Sequence, residues 1–282
     1  AYKKNLKSLF TSLNSFIKTE FNQDNDVEFI TYQTSSYEAF NNDDKRMMIP
    51  IMHYEIAQEM SNVSLGMCMY QLPYNSDLTH IWLFGTRIMG ATMGYFAYQR
   101  CIKGNKINSI SYKRHNVYSM NGKYIIEIEF NVPYPPLVID RKSLFDANKS
   151  LTYKDFNGET NVPNIGFEIM NSDWDYGEDV IWDSNGEHLP TVINWKSDIN
   201  IESATIVRGN TVKIICDKNP AGKELWYARR GNQCGGYIRD SMFVSENKSI
   251  YIDTSQNTDG NNKNEAGEYP LNNWMPIMLI KL

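Results

Sequence analysis

The stretch NSDLTHIW, residues 75–82, decides how the first third of the sequence is interpreted. Within it, Asp77 lies three residues before His80. The stretch follows the apolar run VSLGMCMY (63–70), which is typical of a buried strand, and precedes a helical pattern over about residues 83–101. The sequence therefore predicts that Asp77 and His80 lie in a loop between a strand and a helix.

An aspartate and a histidine in one loop have a specific chemical use. A histidine acts as a general base only when its imidazole is neutral and in the correct tautomer, and a carboxylate that accepts a hydrogen bond from the other ring nitrogen arranges both. Open α/β sheets place their sites at the carboxyl ends of the strands, where this loop is expected. We therefore expect His80 to be a catalytic base and Asp77 to orient it. The alternative is a polar turn that starts the following helix.

Residues 1–105 are predicted to form an α/β layer. Helical patterns alternate with short apolar strands in the order helix, strand, helix, strand, helix, over approximately residues 4–18, 27–32, 44–61, 63–70 and 83–101. This alternation indicates a parallel sheet covered on both faces. Because two strands do not make such a sheet alone, its remaining strands are expected outside these residues. Gly85, Gly90 and Gly94 in the last helix are expected to allow close packing against the sheet.

Residues 106–282 have the pattern of an antiparallel β domain. YIIEIEFNV (124–132) alternates in polarity, and IESATIVRGNTVKIICD (201–217) is predicted to be a hairpin. Further short β-prone runs follow, separated by loops rich in Asn, Asp and Gly. The pattern is typical of a β-sandwich or jelly roll. We place the domain boundary between residues 105 and 106, inside KGNKINS (103–109).

Two segments of the first domain resemble the C-terminal half of an SGNH (GDSL-like) hydrolase. They are DVEFITYQTSS (26–36) and IAQEMSNVSLGMCMYQLPYNSDLTHIWLFGTRIMGATMGYFAYQ (56–99). The last motif of that family is Asp-x-x-His after the final strand, followed by a helix, and LFGTRIMGATMG (83–94) occupies the place of this helix. The resemblance implies that Asp77 and His80 are the aspartate and histidine of a Ser-His-Asp triad, and that no metal or organic cofactor is required.

Two stretches of the second domain carry a further resemblance. GGYIRDS (235–241) and YPLNNW (269–274) are similar to the β modules that follow such domains in phage and gut-bacterial carbohydrate esterases. This resemblance implies an acetylated glycan or surface polysaccharide as substrate. It also implies a location in a phage tail or outside a bacterial cell.

The nucleophile of that family is missing from the sequence. The family places a Gly-Asp-Ser block, and the glycine and asparagine that complete its oxyanion hole, upstream of Asp-x-x-His, and none of these blocks occurs here. Ser184 in WDSNG follows an aspartate but lies downstream, at a predicted turn, and is not favoured. The serine is therefore expected from a preceding segment or a partner chain. Gln33, which ends the first strand, is expected to bind substrate in the same cleft; the alternative is an ordinary polar residue at a strand end.

Composition excludes several other classes of function. The net charge is -5 and the basic residues form no cluster, which argues against nucleic acid as a partner. No apolar run is long enough to span a bilayer. The four cysteines lack zinc spacing, Cys68 and Cys101 are expected to be buried thiols, and an EF-hand loop aligned on Gly260 would need Glu at position 12, where Ala266 stands. We predict no metal site.

Two non-catalytic functions remain as alternatives. A virion structural or receptor-binding protein could keep the α/β layer for its shape alone. A carbohydrate-binding module would use tryptophans of the second domain as a platform for sugar rings, although packing in the core is the more common use of tryptophan. A homo-oligomer is left open.

Overall fold

The computed structural model describes residues 1–35, 48–72, 80–81, 83–140, 163–182, 188–229, 235–242 and 271–282. Its helices are α1 (Tyr2–Glu20), α2 (Met48–Glu59) and α3 (Leu83–Ala97), and α3 continues into a π-helical turn, Tyr98–Ile102. The strands are β1 (Phe29–Gln33), β2 (Val63–Cys68), β3 (Ser111–Met120), β4 (Lys123–Asn131), β5 (Val138–Ile139), β6 (Phe167–Met170), β7 (Asp175–Trp182), β8 (His188–Ile193), β9 (Ile201–Arg208), β10 (Thr211–Cys216), β11 (Glu224–Tyr227), β12 (Ile238–Arg239) and β13 (Met278–Lys281).

Strands β1 and β2 form a parallel pair, with α2 in the connection between them. Phe29 lies opposite Val63, and the pairing continues to Gln33 opposite Cys68. Every residue of β2 is buried, as the apolar run in the sequence predicts. The predicted order of helix, strand, helix, strand, helix is thus confirmed for the described residues.

The expectation that the glycines of α3 allow close packing is wrong for two of the three. Gly90 and Gly94 are exposed, and a Cβ atom added to either would meet no atom within 4 Å. The close approach is instead at Gly66 of β2, where a Cβ atom would come within 2.8 Å of the Met93 sulfur. It is therefore the strand, and not the exposed face of the helix, that needs the small residue.

The rest of the described chain forms antiparallel sheets. One has four strands in the order β3-β4-β10-β9, one has three in the order β13-β11-β6, and β12-β5 and β7-β8 are two-stranded. β9 and β10 make the predicted hairpin, with Gly209 and Asn210 between them. The observed architecture is thus mixed α/β, with several antiparallel sheets and few helices among the described residues.

The hydrophobic core does not stop at residue 105. One cluster of buried side chains contains Leu65 and Tyr70 from the first part of the chain together with Ile126, Trp226 and Met275 from the second. The division into domains 1–105 and 106–282 stays a prediction.

The cysteines Cys68 and Cys101, both expected to be buried, differ in their exposure. Cys68 is buried as expected, but Cys101 is exposed. In the π-helical turn it is the neighbouring Arg100 that faces inward, where it pairs with Glu28 and donates to the carbonyl oxygens of Ser61 and Ile107. The apolar surroundings of Cys101 in the sequence did not reveal this orientation.

Candidate functional site

The carboxyl end of the parallel pair carries the predicted histidine. His80 is exposed and lies three residues before the start of α3. Its neighbour Ile81 packs against a cluster of buried side chains formed by Met67, Met69, Leu72 and Ile88. Because this cluster joins the end of β2 to α3, it fixes the backbone of His80 at the carboxyl end of β2. At this position the His80 side chain is accessible to solvent.

The partner proposed for His80 lies outside the described residues. Asp77 falls in the range 73–79, and Ser184 in the range 183–187, which the structure does not describe. The pairing of Asp77 with His80 therefore stays a prediction. So does the rejection of Ser184 as a nucleophile.

Gln33 is placed in the interior of the protein. It is fully buried. Its Nε2 group donates to the carbonyl oxygens of Pro50, at 2.9 Å, and Ile277, at 2.8 Å, and its Oε1 atom accepts from the Ile277 amide at 2.8 Å. Both amide protons are thus used within the protein. These contacts correspond to the structural alternative for Gln33, and none of them supports a role in binding substrate.

The segment before β13 contacts the residues at and just after the end of β2. The Tyr70 hydroxyl donates to the Met275 carbonyl oxygen at 2.7 Å, and the Cys68 sulfur lies 4.0 Å from the Trp274 carbonyl oxygen. Burial raises the pKa of the Cys68 thiol far above its usual range, so this thiol is protonated and is not a nucleophile at neutral pH.

Asp240 is a second buried polar residue that the sequence did not single out. Its carboxyl group accepts hydrogen bonds from the Met242 amide at 2.9 Å, the Asn273 side chain at 2.7 Å and the Tyr134 amide at 3.3 Å. Burial raises the pKa of Asp240 to about 6, although these hydrogen bonds oppose the shift. Asp240 belongs to GGYIRDS and Asn273 to YPLNNW, so the two stretches that resemble one β module are in contact at these described residues.

A hydrogen-bonded tyrosine pair links this region to α3. Tyr134 packs beside Tyr95 of α3, next to the buried Met242 and Leu271. Burial, together with a hydrogen bond to Tyr95 and the nearby Asp240 charge, raises the pKa of Tyr134 to about 12. The packing and the hydrogen bond between Tyr134 and Tyr95 both stabilise the position of α3, the helix that follows His80.

Two surface grooves lie away from His80. The larger has a volume of about 790 Å³ and is lined by Val27, Asn62 and Arg100, near the amino ends of β1 and β2. The smaller, of about 340 Å³, is lined by Phe167, Lys196 and Arg229. Neither includes His80 among its lining residues. They therefore add nothing to the site at the carboxyl ends of the strands.

The described ranges contain neither a membrane-spanning helix nor a metal-holding cluster. None of the helices there combines the length and the apolar character needed to cross a membrane. Nor does any group of three or more His, Cys, Asp or Glu side chains in those ranges have an arrangement that could hold a metal ion.

Comparison with known proteins finds a resemblance in structure but none in sequence. No protein-family model matches the chain, and no curated protein matches it in sequence. A crystal structure of a carbohydrate acetylesterase from Xanthomonas citri is similar to it, with a TM-score of 0.49 and 11% sequence identity over 84% of this chain. The match covers 42% of that protein's chain, so this chain spans less than half of its length. A resemblance of this size establishes neither the fold family nor the activity of this chain.

Proposed function

We propose that the chain is part of an SGNH-type carbohydrate esterase that removes acetyl groups from a glycan. The observation that carries the proposal is the position of His80, which is exposed at the carboxyl end of a buried strand in a parallel pair. Sites of open α/β sheets lie at this edge. The serine nucleophile is supplied by a preceding segment or by a partner chain.

The proposed reaction follows the general logic of a serine hydrolase. The serine oxygen attacks the carbonyl carbon of the acetyl ester while His80 accepts the serine proton. The bond between that carbon and the sugar oxygen then breaks, and His80 gives the proton to this oxygen, which leaves as a sugar hydroxyl. Water, deprotonated in turn by His80, hydrolyses the acetyl-serine intermediate and releases acetate. Asp77 accepts a hydrogen bond from the other ring nitrogen and keeps His80 in the productive tautomer. No step requires a metal ion or an organic cofactor.

The packing around His80 suits this role. Catalytic groups must be held within about 0.5 Å of their productive positions, which favours sites on well-packed elements. Ile81 packs against a cluster of four buried side chains, and the Tyr70 hydroxyl is bonded to the backbone of Met275. The residues that flank the range 73–79 are therefore anchored on both sides, while His80 is exposed.

The test is acetate release from an acetylated polysaccharide by the complete natural gene product, with any partner chain that carries the serine. We expect His80→Ala to lower turnover by about a thousandfold or more, because the general base is lost. His115 of β3 is a matched control, since it lies on another sheet and its Nδ1 atom bonds to the Tyr112 hydroxyl. His115→Ala should leave turnover unchanged. Full turnover by His80→Ala would end the esterase proposal.

One observation favours a non-catalytic alternative. The Gly-Asp-Ser block of the family does not occur in the 282 residues. A structural or receptor-binding protein of a virion, or a carbohydrate-binding module, could keep the α/β layer without the nucleophile. Binding of glycan without release of acetate by the complete protein would favour this alternative. A phage tail or an extracellular location is part of either proposal.

A further inference from the structure

Gln71 has a buried polar atom without a hydrogen-bond partner. The residue is only 7% exposed, and its Oε1 atom has no partner in the part of the chain that the structure describes. A buried amide oxygen in this state has lost its hydrogen bonds with water and gained none in return. Native proteins contain few such groups, and a binding function is one of the explanations for them.

The backbone around Gln71 places its side chain apart from its neighbours. Gln71 ends the 3₁₀ turn Met69–Gln71 that directly follows β2. In a 3₁₀ turn successive side chains point about 120° apart, and residues three apart share a direction. Met69 and Leu72 both pack in the cluster that contains Ile81, and Tyr70 points to the Met275 backbone. Gln71 therefore takes the third direction, away from both.

Gln71 and His80 each directly precede a residue of one packed cluster. Leu72 directly follows Gln71, Ile81 directly follows His80, and the side chains of Leu72 and Ile81 belong to one packed cluster. Both polar residues are thus one position from a common anchor at the carboxyl end of β2. Gln33, in contrast, uses both of its amide protons inside the protein.

We propose that Gln71 orients the substrate of the esterase site through its Oε1 atom, which accepts a hydrogen bond from a free hydroxyl group of the sugar that carries the acetyl ester. This inference rests on the proposed function. An amide oxygen is an acceptor only, so it selects a ligand with a donor group near the ester. The preferred substrates are therefore acetylated sugars with a free hydroxyl beside the ester, and not simple aryl or alkyl acetates.

The experiment compares two esters in the complete natural protein. Gln71→Met keeps the length of the side chain and removes the acceptor. We expect it to lower kcat/KM for an acetylated polysaccharide about tenfold, mainly through KM, because one substrate hydrogen bond is lost. Hydrolysis of p-nitrophenyl acetate, which has no hydroxyl donor, should stay within about twofold. Gln58→Met is the matched control, because Gln58 is exposed on α2, and should change neither rate.

A second measurement needs no variant. The wild-type protein should hydrolyse an acetylated sugar whose other hydroxyls are methylated about tenfold less efficiently than the unblocked sugar, since the donor is gone. Gln71→Glu, which keeps an acceptor oxygen at the same distance, should retain most of the preference for the unblocked sugar.

The outcomes separate this inference from the proposed function. One outcome is that His80→Ala abolishes turnover while Gln71→Met leaves kcat/KM unchanged for both esters, or lowers it equally for both. In that case Gln71 does not recognise the sugar, and the esterase proposal stands. If the wild-type protein hydrolyses the methylated and the unmethylated acetyl sugar equally well, Gln71 likewise does not recognise the sugar. If His80→Ala keeps full turnover, the esterase proposal fails and the role of Gln71 fails with it.

Discussion

Gln33 and Ile277 are joined by two hydrogen bonds of 2.8 Å, although 244 residues separate them in the chain. The side-chain amide of Gln33 bonds to the backbone of Ile277 as a neighbouring strand would. It donates to the carbonyl oxygen of Ile277 and accepts from the backbone N–H group of the same residue. It thereby ties the end of β1 to the segment that leads into β13. A third bond to the Pro50 carbonyl oxygen adds α2 to the same junction.

The first prediction concerns this junction. Gln33→Met should lower the free energy of unfolding by about 3 kcal/mol, because it leaves the buried amide and carbonyl groups of Ile277 without partners. Urea denaturation followed by circular dichroism measures the change. Gln23→Met is the control, since Gln23 is exposed, and should shift the free energy by less than about 0.5 kcal/mol. Equal effects of the two variants would contradict the structural role of Gln33.

The second prediction concerns the ion pair of Arg229 with Glu168. The Arg229 side chain is 2% exposed, bonds to both carboxylate oxygens of Glu168 at 2.9 and 3.0 Å, and stacks on Trp195. Glu168→Ala should lower the free energy of unfolding by about 3 kcal/mol, because a buried guanidinium loses its counter-ion. The measurement is the midpoint and slope of urea unfolding.

An exposed ion pair supplies the control for that experiment. Asp198 and Lys218 also pair, but their side chains are 77% and 53% exposed. Asp198→Ala should therefore cost less than about 1 kcal/mol. If it destabilised the protein as much as Glu168→Ala, burial would not be the cause of the difference.

The third prediction follows from the raised pKa of Asp240. Its value of about 6 in the folded protein exceeds the ordinary value of 3.8, so proton binding favours the folded state. This contribution is full below about pH 3.8 and is lost as the pH rises through 6. The wild-type protein should therefore lose about 2 kcal/mol relative to Asp240→Asn between pH 4 and pH 7.

Unfolding by urea at several pH values measures that difference. Comparison with one variant cancels the opposite contributions of other carboxylates, such as Asp217, whose pKa is lowered by hydrogen bonds from Asn200. Asp217→Asn is the control and should not reproduce the loss between pH 4 and pH 7. A difference between wild type and Asp240→Asn that does not change with pH would show that Asp240 titrates normally.

The fourth prediction contrasts glycines in α3 and β2. Gly90→Ala and Gly94→Ala should each stabilise the protein by about 1 kcal/mol, because alanine favours the helix and its methyl group meets no atom within 4 Å. Gly66→Ala should destabilise it by about 1 kcal/mol or more, because its methyl group would approach the Met93 sulfur to 2.8 Å and an Ile30 methyl group to 3.2 Å. Thermal unfolding would show the opposite signs. Destabilisation by Gly90→Ala would contradict the open space observed beside Gly90 on α3.

Local patterns in the sequence determined the order of the first elements. The apolar run at 63–70 and the helical spacing after it predicted β2 and α3, and the two β-prone runs around Gly209 predicted the hairpin of β9 and β10. These predictions succeed because alternation and helical periodicity are properties of neighbouring residues. The position of His80 at the carboxyl end of β2 follows from the same local order.

Only the tertiary structure decided which buried polar atoms are hydrogen-bonded within the protein and which are not. Gln33 ends one apolar run and Gln71 directly follows another, and nothing in these local patterns distinguishes them. Yet the side-chain amide of Gln33 is bonded to Pro50 and Ile277, whereas the Oε1 atom of Gln71 has no partner in the described chain. The physical reason is that the partners of Gln33 come from distant parts of the chain. Hydrogen bonds across such separations leave no periodic trace in the sequence.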